Sequence, residues 1–183
     1  MKVEKKIIVA TLAFTGLITL MAGCGSQKPP KAVPVTNFDK DRYLGKWYEI
    51  ARFDFSFERN LNNTTANYSL NKDGSIRVIN KGYNYKKKHW SESTGKAKFV
   101  GDPTVAMLKV SFFGPFYSGY NVIDLDDDYR YALIAGKSLD YLWILSRETT
   151  IPAKIKDRFL KKAVEIGFDV DKLIWVEHTP ANK

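Results

Sequence analysis

Short runs of apolar residues alternate with turn-forming residues from position 43 through most of the chain. The runs recur at roughly 8- to 12-residue intervals, and this spacing is typical of an all-β sandwich or barrel. Gly, Asp, Asn and Pro fill the gaps, as in residues 71–74, where an Asp-Gly step tolerates the positive φ of a hairpin turn. The pattern predicts eight strands, over residues 43–55, 67–70, 76–83, 90–100, 104–113, 117–125, 129–135 and 141–147.

The connections between these predicted strands are short, which favours antiparallel pairing of each strand with the next. Closing the eight strands into a ring leaves no exposed sheet edge. We therefore predict an all-β fold, an eight-stranded antiparallel up-and-down β-barrel. A barrel of this size has an interior wide enough to hold one small ligand.

One segment near the C-terminus has helical rather than strand periodicity. Its apolar residues recur at intervals of four, four and three, at Ile155, Phe159, Ala163 and Ile166. Pro152 suits the first turn of a helix, and Gly167 suits its end. Because an apolar stripe has to be buried, we predict a C-terminal α-helix packed on the outside of the barrel. Residues 172–177 are predicted to form a short final strand.

Residues that line the interior should alternate with outward-facing residues along each strand. On the fifth predicted strand the apolar set includes Leu108 and Phe112. On the third strand either the side of Val78 or the side of Tyr83 faces inward, and on the eighth strand both sides are apolar. Large side chains are able to wall a lipid-sized cavity. The candidates for ligand contact are Phe53, Tyr83, Leu108, Phe112, Tyr120 and Trp143.

The first 24 residues have the features of an export signal. Three lysines within residues 1–6 precede an uncharged apolar run over residues 7–21, and small residues then lead to Cys24. This run is short for a membrane-spanning helix, which needs about 20 residues, so a secretory signal is favoured over a membrane anchor helix. The segment Leu20-Met21-Ala22-Gly23-Cys24 resembles the lipobox of bacterial lipoproteins, in which the cysteine is acylated.

The lipobox resemblance divides the chain into three parts. We predict a lipoprotein signal peptide over residues 1–23, a lipidated N-terminus and flexible tether over residues 24–36, and one barrel domain over residues 37–183. Two or three acyl chains on Cys24 would anchor the protein almost permanently, since one chain alone holds only marginally.

Composition narrows the chemistry that the domain can perform. With one Cys and two His, the chain cannot form an intramolecular disulfide, and we expect neither a metal nor a cofactor. The acidic run 124–128 lacks the spacing of an EF-hand and suits a hairpin turn. Neither His89 nor His178 lies in a nucleophile context, so no enzyme activity is predicted. The net charge of +9 suits anionic lipid headgroups or simple solubility; no nucleic-acid partner is expected of an exported domain.

Three motifs, in order along the chain, resemble the signature of the lipocalins. Gly45-Lys46-Trp47 opens the first predicted strand, Asp128-Tyr129 precedes the seventh, and Arg147 closes the eighth. Residues 80–84 and 111–117 look specifically like the bacterial outer-membrane lipocalins, close kin of apolipoprotein D.

The resemblance implies roles for the residues of these motifs. Trp47 would close the base of the barrel with Arg147 lying across its ring, a cation–π contact. Gly45 would let the chain bend into the first strand. These three residues would therefore be structural rather than ligand-binding.

The resemblance also implies a function. A bacterial outer-membrane lipocalin would bind, store or transport fatty acids, phospholipids or lysophospholipids for maintenance of the envelope under stress. It would be anchored in the outer membrane by its acyl chains and face the periplasm, and a homodimer is left open. Lys86, Lys87 and Lys88 could pair with a headgroup phosphate if their loop lies at the open end. The alternative is a membrane-anchored docking module with a filled barrel and no ligand.

Overall fold

The computed structural model describes residues 27–179 of the 183-residue chain. The predicted signal peptide and Cys24 lie outside the described residues. The strands are β1 (Gly45–Arg52), β2 (Leu61–Leu70), β3 (Ile76–Asn84), β4 (His89–Phe99), β5 (Met107–Phe113), β6 (Phe116–Leu125), β7 (Tyr131–Ala135), β8 (Leu142–Ser146) and β9 (Ile174–Trp175). The helices are α1 (Lys40–Tyr43) and α2 (Ala153–Ile166), and a 3₁₀ turn spans Val170–Lys172.

The strands form a closed ring. β2 to β8 follow one another around the sheet, each antiparallel to the next, and β1 pairs with both β8 and β2. Tyr48 of β1, for example, pairs with Ser146 on one side and with Thr65 on the other. The ring confirms the predicted eight-stranded antiparallel barrel. Beyond the residues of β1 that pair with β2, the short strand β9 pairs with β1 instead, with Trp175 opposite Ala51.

Three strand boundaries differ from the sequence-based expectation by three residues or more. β2 begins at Leu61 rather than Asn67, because backbone pairing with β3 holds the mainly polar residues 61–66 in a strand. β1 ends at Arg52 rather than Phe55. β5 begins at Met107 rather than Thr104. The residues just before β5 bond to the N-terminal segment instead, since the amide of Phe38 donates to the Thr104 carbonyl at 2.8 Å.

Helix α2 lies against the outside of the barrel, as predicted. Pro152 precedes it with extended backbone, and Gly167 ends it with φ +112°, a left-handed conformation that glycine adopts without a steric penalty. The helix buries Phe159, Ala163 and Ile166. These side chains pack in a hydrophobic cluster with outward-facing residues of the barrel wall, including Ile50, Ile123, Leu133, Leu142 and Ile144.

A second hydrophobic cluster lies inside the barrel and settles which strand faces point inward. On β3 the inward residues are Ile76 and Val78, and on β8 they are Trp143 and Leu145. Leu142 and its neighbours of the opposite parity face α2. Tyr83, which belongs to the other alternative on β3, is therefore not on the inward face.

The base of the barrel is closed around Trp47, which is fully buried and donates from Nε1 to the Tyr43 carbonyl at 2.8 Å. The Arg147 guanidinium lies 3.9 Å from the centre of the Trp47 ring. Its Nη1 also donates to the Lys46 carbonyl at 2.7 Å. Gly45 adopts φ +91° beside this guanidinium. This is the arrangement that the resemblance implied for the three motif residues.

Candidate functional site

The direction of β1 distinguishes the two ends of the barrel. β1 begins at the base near Trp47 and runs toward the opposite, open end, which it reaches at Arg52. Since neighbouring strands are antiparallel, the loops after β1, β3, β5 and β7 all lie at that open end. These loops span residues 53–60, 85–88, 114–115 and 136–141.

A cavity of about 390 Å³ lies inside the barrel. Its inner wall is largely apolar and includes Ile76, Val78, Ala97, Leu108, Val110 and Leu145. Aromatic side chains surround its mouth, among them Phe55, Phe57, Phe113, Phe116 and Tyr141. A space with these walls is able to exclude water from an acyl chain.

Four of the six residues predicted for ligand contact lie on this cavity wall: Leu108, Phe112, Tyr120 and Trp143. Alternation along the strands brings them together from β5, β6 and β8. Their contact with a ligand remains a prediction.

The other two candidates, Phe53 and Tyr83, lie outside the cavity, and their predicted placement is wrong. Phe53 packs under α2, with its ring 6.0 Å from that of Phe168. An irregularity of β1 between Glu49 and Ala51 shifts the alternation there, so Phe53 faces the helix. Tyr83 is on the outer face of β3, 5.6 Å from the ring of Trp90.

The lysines are also distributed differently from the sequence-based expectation. Lys86, Lys87 and Lys88 do lie in a loop at the open end, but they are exposed and do not line the cavity. Lys81 and Lys137 are among the lining residues instead, but the Lys81 ammonium lies 5.0 Å from the Trp90 ring, on the outer face of the barrel. Sequence reasoning missed both, because neither belongs to a charge cluster.

The cavity also has a cluster of buried charged groups that sequence reasoning missed. Glu49 and Glu58 both line the cavity and are 4% and 8% exposed. Arg52 Nη1 lies 2.6 Å from Glu49 Oε1, and its Nη2 donates to the carbonyls of Glu58 and Leu61 at 2.7 and 2.9 Å. Trp143 Nε1 donates to Glu58 Oε2 at 3.0 Å. A signal for Glu49 was present, since alternation puts it on the same face of β1 as Trp47.

Burial shifts the proton affinity of this cluster. Desolvation raises the pKa of Glu49 to about 8, with a further contribution from the nearby Glu58 carboxylate, while Arg52 acts in the opposite direction. Desolvation also raises the pKa of Glu58, against the hydrogen bond from Trp143. Both carboxyl groups therefore favour the protonated, neutral form more than an exposed glutamate does.

Three tyrosine hydroxyls form the polar floor of the cavity. Tyr120 Oη is 2.7 Å from Tyr43 Oη and 2.9 Å from Tyr68 Oη. Burial raises the pKa of all three hydroxyls, so they stay protonated. Three hydroxyls that make two mutual bonds leave one proton available, so the floor can donate to a ligand atom.

Within residues 27–179, no group of three or more His, Cys, Asp or Glu side chains is arranged to hold a metal ion. The helices of the same region are all too short or too polar to cross a membrane.

Comparison with known proteins places this geometry in a family. The model of the lipocalin-like domain matches residues 38–178. Outer membrane lipoprotein Blc of Citrobacter freundii is 54% identical over 182 residues, covering 99% of this chain and 100% of the relative. Temperature-induced lipocalin-1 of Arabidopsis thaliana is 38% identical over 149 residues, covering 76% of this chain and 78% of the relative.

A solved structure supports the fold at lower sequence similarity. Insecticyanin from the tobacco hornworm Manduca sexta superposes with a TM-score of 0.68 at 21% identity. The match covers 84% of this chain and 88% of insecticyanin.

Proposed function

The chain belongs to the lipocalin family, and on that premise we propose that it is a lipid-anchored carrier that binds one acyl-chain lipid inside its barrel. It binds, stores or transports fatty acids, phospholipids or lysophospholipids for maintenance of the bacterial envelope under stress. The observation that carries the proposal is the apolar-walled cavity of about 390 Å³. Small-molecule sites commonly have volumes of about 300 to 1,000 Å³.

The mechanism is partition rather than catalysis. Transfer of an acyl chain from water into the cavity yields about 0.8 kcal/mol per buried methylene. Lys137 lines the mouth and supplies charge-assisted hydrogen bonds to an anionic headgroup. Lys86, Lys87 and Lys88 lie farther from the cavity and act, at most, on the approach to a membrane.

The carrier is held at the outer membrane through acyl chains on Cys24, facing the periplasm. Support comes from the lipobox-like sequence ending at Cys24 and from relatives named as outer membrane lipoproteins. Cys24→Ser should abolish labelling by radioactive palmitate and release the protein from the membrane fraction. Persistent labelling of the Cys24→Ser chain would refute acylation at this residue.

Lipid binding is tested on the chain from Gly25 to Lys183, which contains every strand of the barrel and both hydrophobic clusters. Native mass spectrometry and solvent extraction should find a stoichiometric fatty acid or lysophospholipid. Phe112→Glu should remove it, because a charge on the cavity wall opposes an acyl chain. Tyr83→Glu is the matched control, since Tyr83 lies on the outside of the barrel, and it should retain the lipid. The same spectra report whether the chain forms a homodimer.

The alternative, a docking module with a filled barrel, makes the opposite prediction. The purified chain would be empty and would take up no added lipid, and Phe112→Glu would have no effect on uptake. The open volume inside the barrel favours the carrier.

A further inference from the structure

The polar groups inside the cavity are unequally distributed. Above the tyrosine floor, the wall formed by β1, β2, β3 and the 53–60 loop presents Glu49, Glu58, Thr64 and Asn80. Among the described residues that line the cavity, the cations are Lys137, which is exposed at the mouth, and Lys81, whose ammonium lies 5.0 Å from the Trp90 ring on the outside of the barrel. The inner part of this wall is therefore rich in oxygen atoms and contains no cation. We call these four residues the acceptor wall.

The positive charge that accompanies the acceptor wall lies behind it. Arg52 is 2% exposed and is not among the residues lining the cavity. Its guanidinium bonds to Glu49 and to two backbone carbonyls. One guanidinium thus accompanies two carboxyl groups, and a ligand in the cavity meets the carboxyl oxygens rather than the cation.

Unpartnered polar atoms on the same wall point to a missing ligand group. Thr64 is 2% exposed, and its Oγ1 has no hydrogen-bond partner among residues 27–179. Asn80 Oδ1 is likewise buried without a partner in this part of the chain. Buried polar atoms in native structures are usually satisfied. Because Thr65 pairs with Tyr48 in antiparallel strands, the next position along places Thr64 opposite Glu49. The unpartnered hydroxyl of Thr64 therefore lies beside the carboxyl cluster.

We propose that the acceptor wall is a specificity subsite for lipids whose buried polar group donates hydrogen bonds and carries no negative charge, namely a hydroxyl or a primary amine. Such a group satisfies Thr64 and Asn80 and bonds to the carboxyl oxygens of Glu49 and Glu58. The inference rests on the proposed function, since it assumes that the cavity takes a lipid.

A carboxylate or phosphate at the same depth is disfavoured. It would lie beside two carboxyl groups, out of reach of the lysines and with little water to screen the repulsion. Lipids with these headgroups bind with the chain inside and the headgroup at the mouth, next to Lys137. An ammonium group on the acceptor wall instead stabilises the ionised form of these carboxyl groups.

The experiment measures displacement of the neutral fluorophore N-phenyl-1-naphthylamine from the chain Gly25–Lys183 by dodecylamine, dodecanol and dodecanoate below their micelle concentrations. The three probes share one chain length, and the first and last carry opposite charges. In the unaltered chain, dodecylamine should bind at least tenfold more tightly than dodecanoate. Glu58→Gln keeps an oxygen for the Trp143 bond but removes the charge, and it should reduce the amine-to-acid ratio about tenfold. Glu92→Gln, on the outer face of β4, is the matched control and should leave the ratio unchanged.

A second variant avoids any change to the buried charges. Thr64→Val preserves the side-chain shape and removes a hydroxyl that has no partner within residues 27–179. It should weaken dodecanol about fivefold relative to dodecanoate without lowering the unfolding temperature.

The outcomes separate this inference from the proposed function. Equal binding of the amine and the acid, or an amine-to-acid ratio that Glu58→Gln leaves unchanged, overturns the acceptor wall while lipid binding stands. If neither the fluorophore nor any of the three probes binds, the proposed function fails, and the specificity subsite fails with it.

Discussion

Two arginines of the barrel, Arg147 at the base and Arg52 toward the open end, have contrasting surroundings. Arg147 lies flat on Trp47, and its nitrogens donate to five backbone carbonyls, on residues 42, 43, 44, 46 and 129. Arg52 bonds to one carboxylate and two carbonyls, and its Nε is buried without a partner among residues 27–179.

The contrast indicates that the base stabilises the fold and that the open half contains the groups that are able to interact with a ligand. The base is saturated, because nearly every donor there meets a backbone acceptor and the Trp47 ring is covered. The open half has orphaned oxygens, raised carboxyl pKa values, empty volume and exposed aromatic rings. We therefore expect substitutions at the base to change the stability of the fold and to have little effect on ligand binding. Substitutions in the open half should change ligand binding and have little effect on stability.

The largest test of this contrast is Trp47→Ala. Removing a fully buried Trp leaves a large cavity and should lower the free energy of unfolding by about 3–5 kcal/mol, as measured by urea titration. Trp143→Phe is the comparison in the open half and should cost much less. A loss below about 1 kcal/mol for Trp47→Ala would contradict a base that carries the stability.

Arg147→Lys should have the second largest effect. A lysine keeps the charge but loses the planar guanidinium that covers the indole and reaches several carbonyls at once. We expect a loss of about 2 kcal/mol in unfolding free energy, since net hydrogen bonds contribute about 0.5–1.5 kcal/mol each. Lipid affinity of the folded protein should not change, and a weakened affinity would show that the base and the cavity are coupled.

The pH dependence of stability tests the open half. Because the folded-state pKa of Glu49 is raised from 4.5 to about 8, its neutral form is favoured in the native state. The resulting stability is fully present below pH about 4.5 and is lost as the pH rises through about 8. Glu58, whose pKa is also raised, acts in the same direction.

Glu49→Gln should therefore flatten the decline in unfolding free energy between pH 5 and 8, because a glutamine takes up no proton on folding. Denaturant titrations across this range make the measurement, with Glu92→Gln as the exposed control. A decline of equal slope in the Glu49→Gln chain would mean that Glu49 does not take up a proton on folding.

The smallest effect is expected at the rim of the open end. Phe116 is 79% exposed, so Phe116→Ser should change the unfolding free energy by less than about 0.5 kcal/mol. Thermal melting with calorimetry makes the comparison with Trp47→Ala. A larger loss would assign the rim a structural role and weaken the division between the two ends.

The sequence predicted the two regions unequally well. The base could be predicted because its residues belong to a spaced motif. Leu108 and Phe112 could be predicted because inward and outward residues alternate regularly along β5. Phe53 was misplaced because the irregularity in β1 reverses which face points inward, and no residue pattern announces it. Glu58 could not be predicted for a different reason. It lies in a loop, where neither the period of two of a strand nor the period of 3.6 of a helix indicates which way a side chain points.

The 53–60 loop supplies Phe55, Phe57 and Glu58 to the cavity, and Arg52 holds it through the main-chain oxygens of Glu58 and Leu61. Every amino acid has a main-chain oxygen, so the two bonds from Arg52 do not depend on which side chains the loop carries. The side chains of the loop can therefore be substituted without loss of these two bonds. A single interchangeable segment could then retune the cargo of the barrel, and exchanging loops of equal length is a direct route to engineered binding proteins.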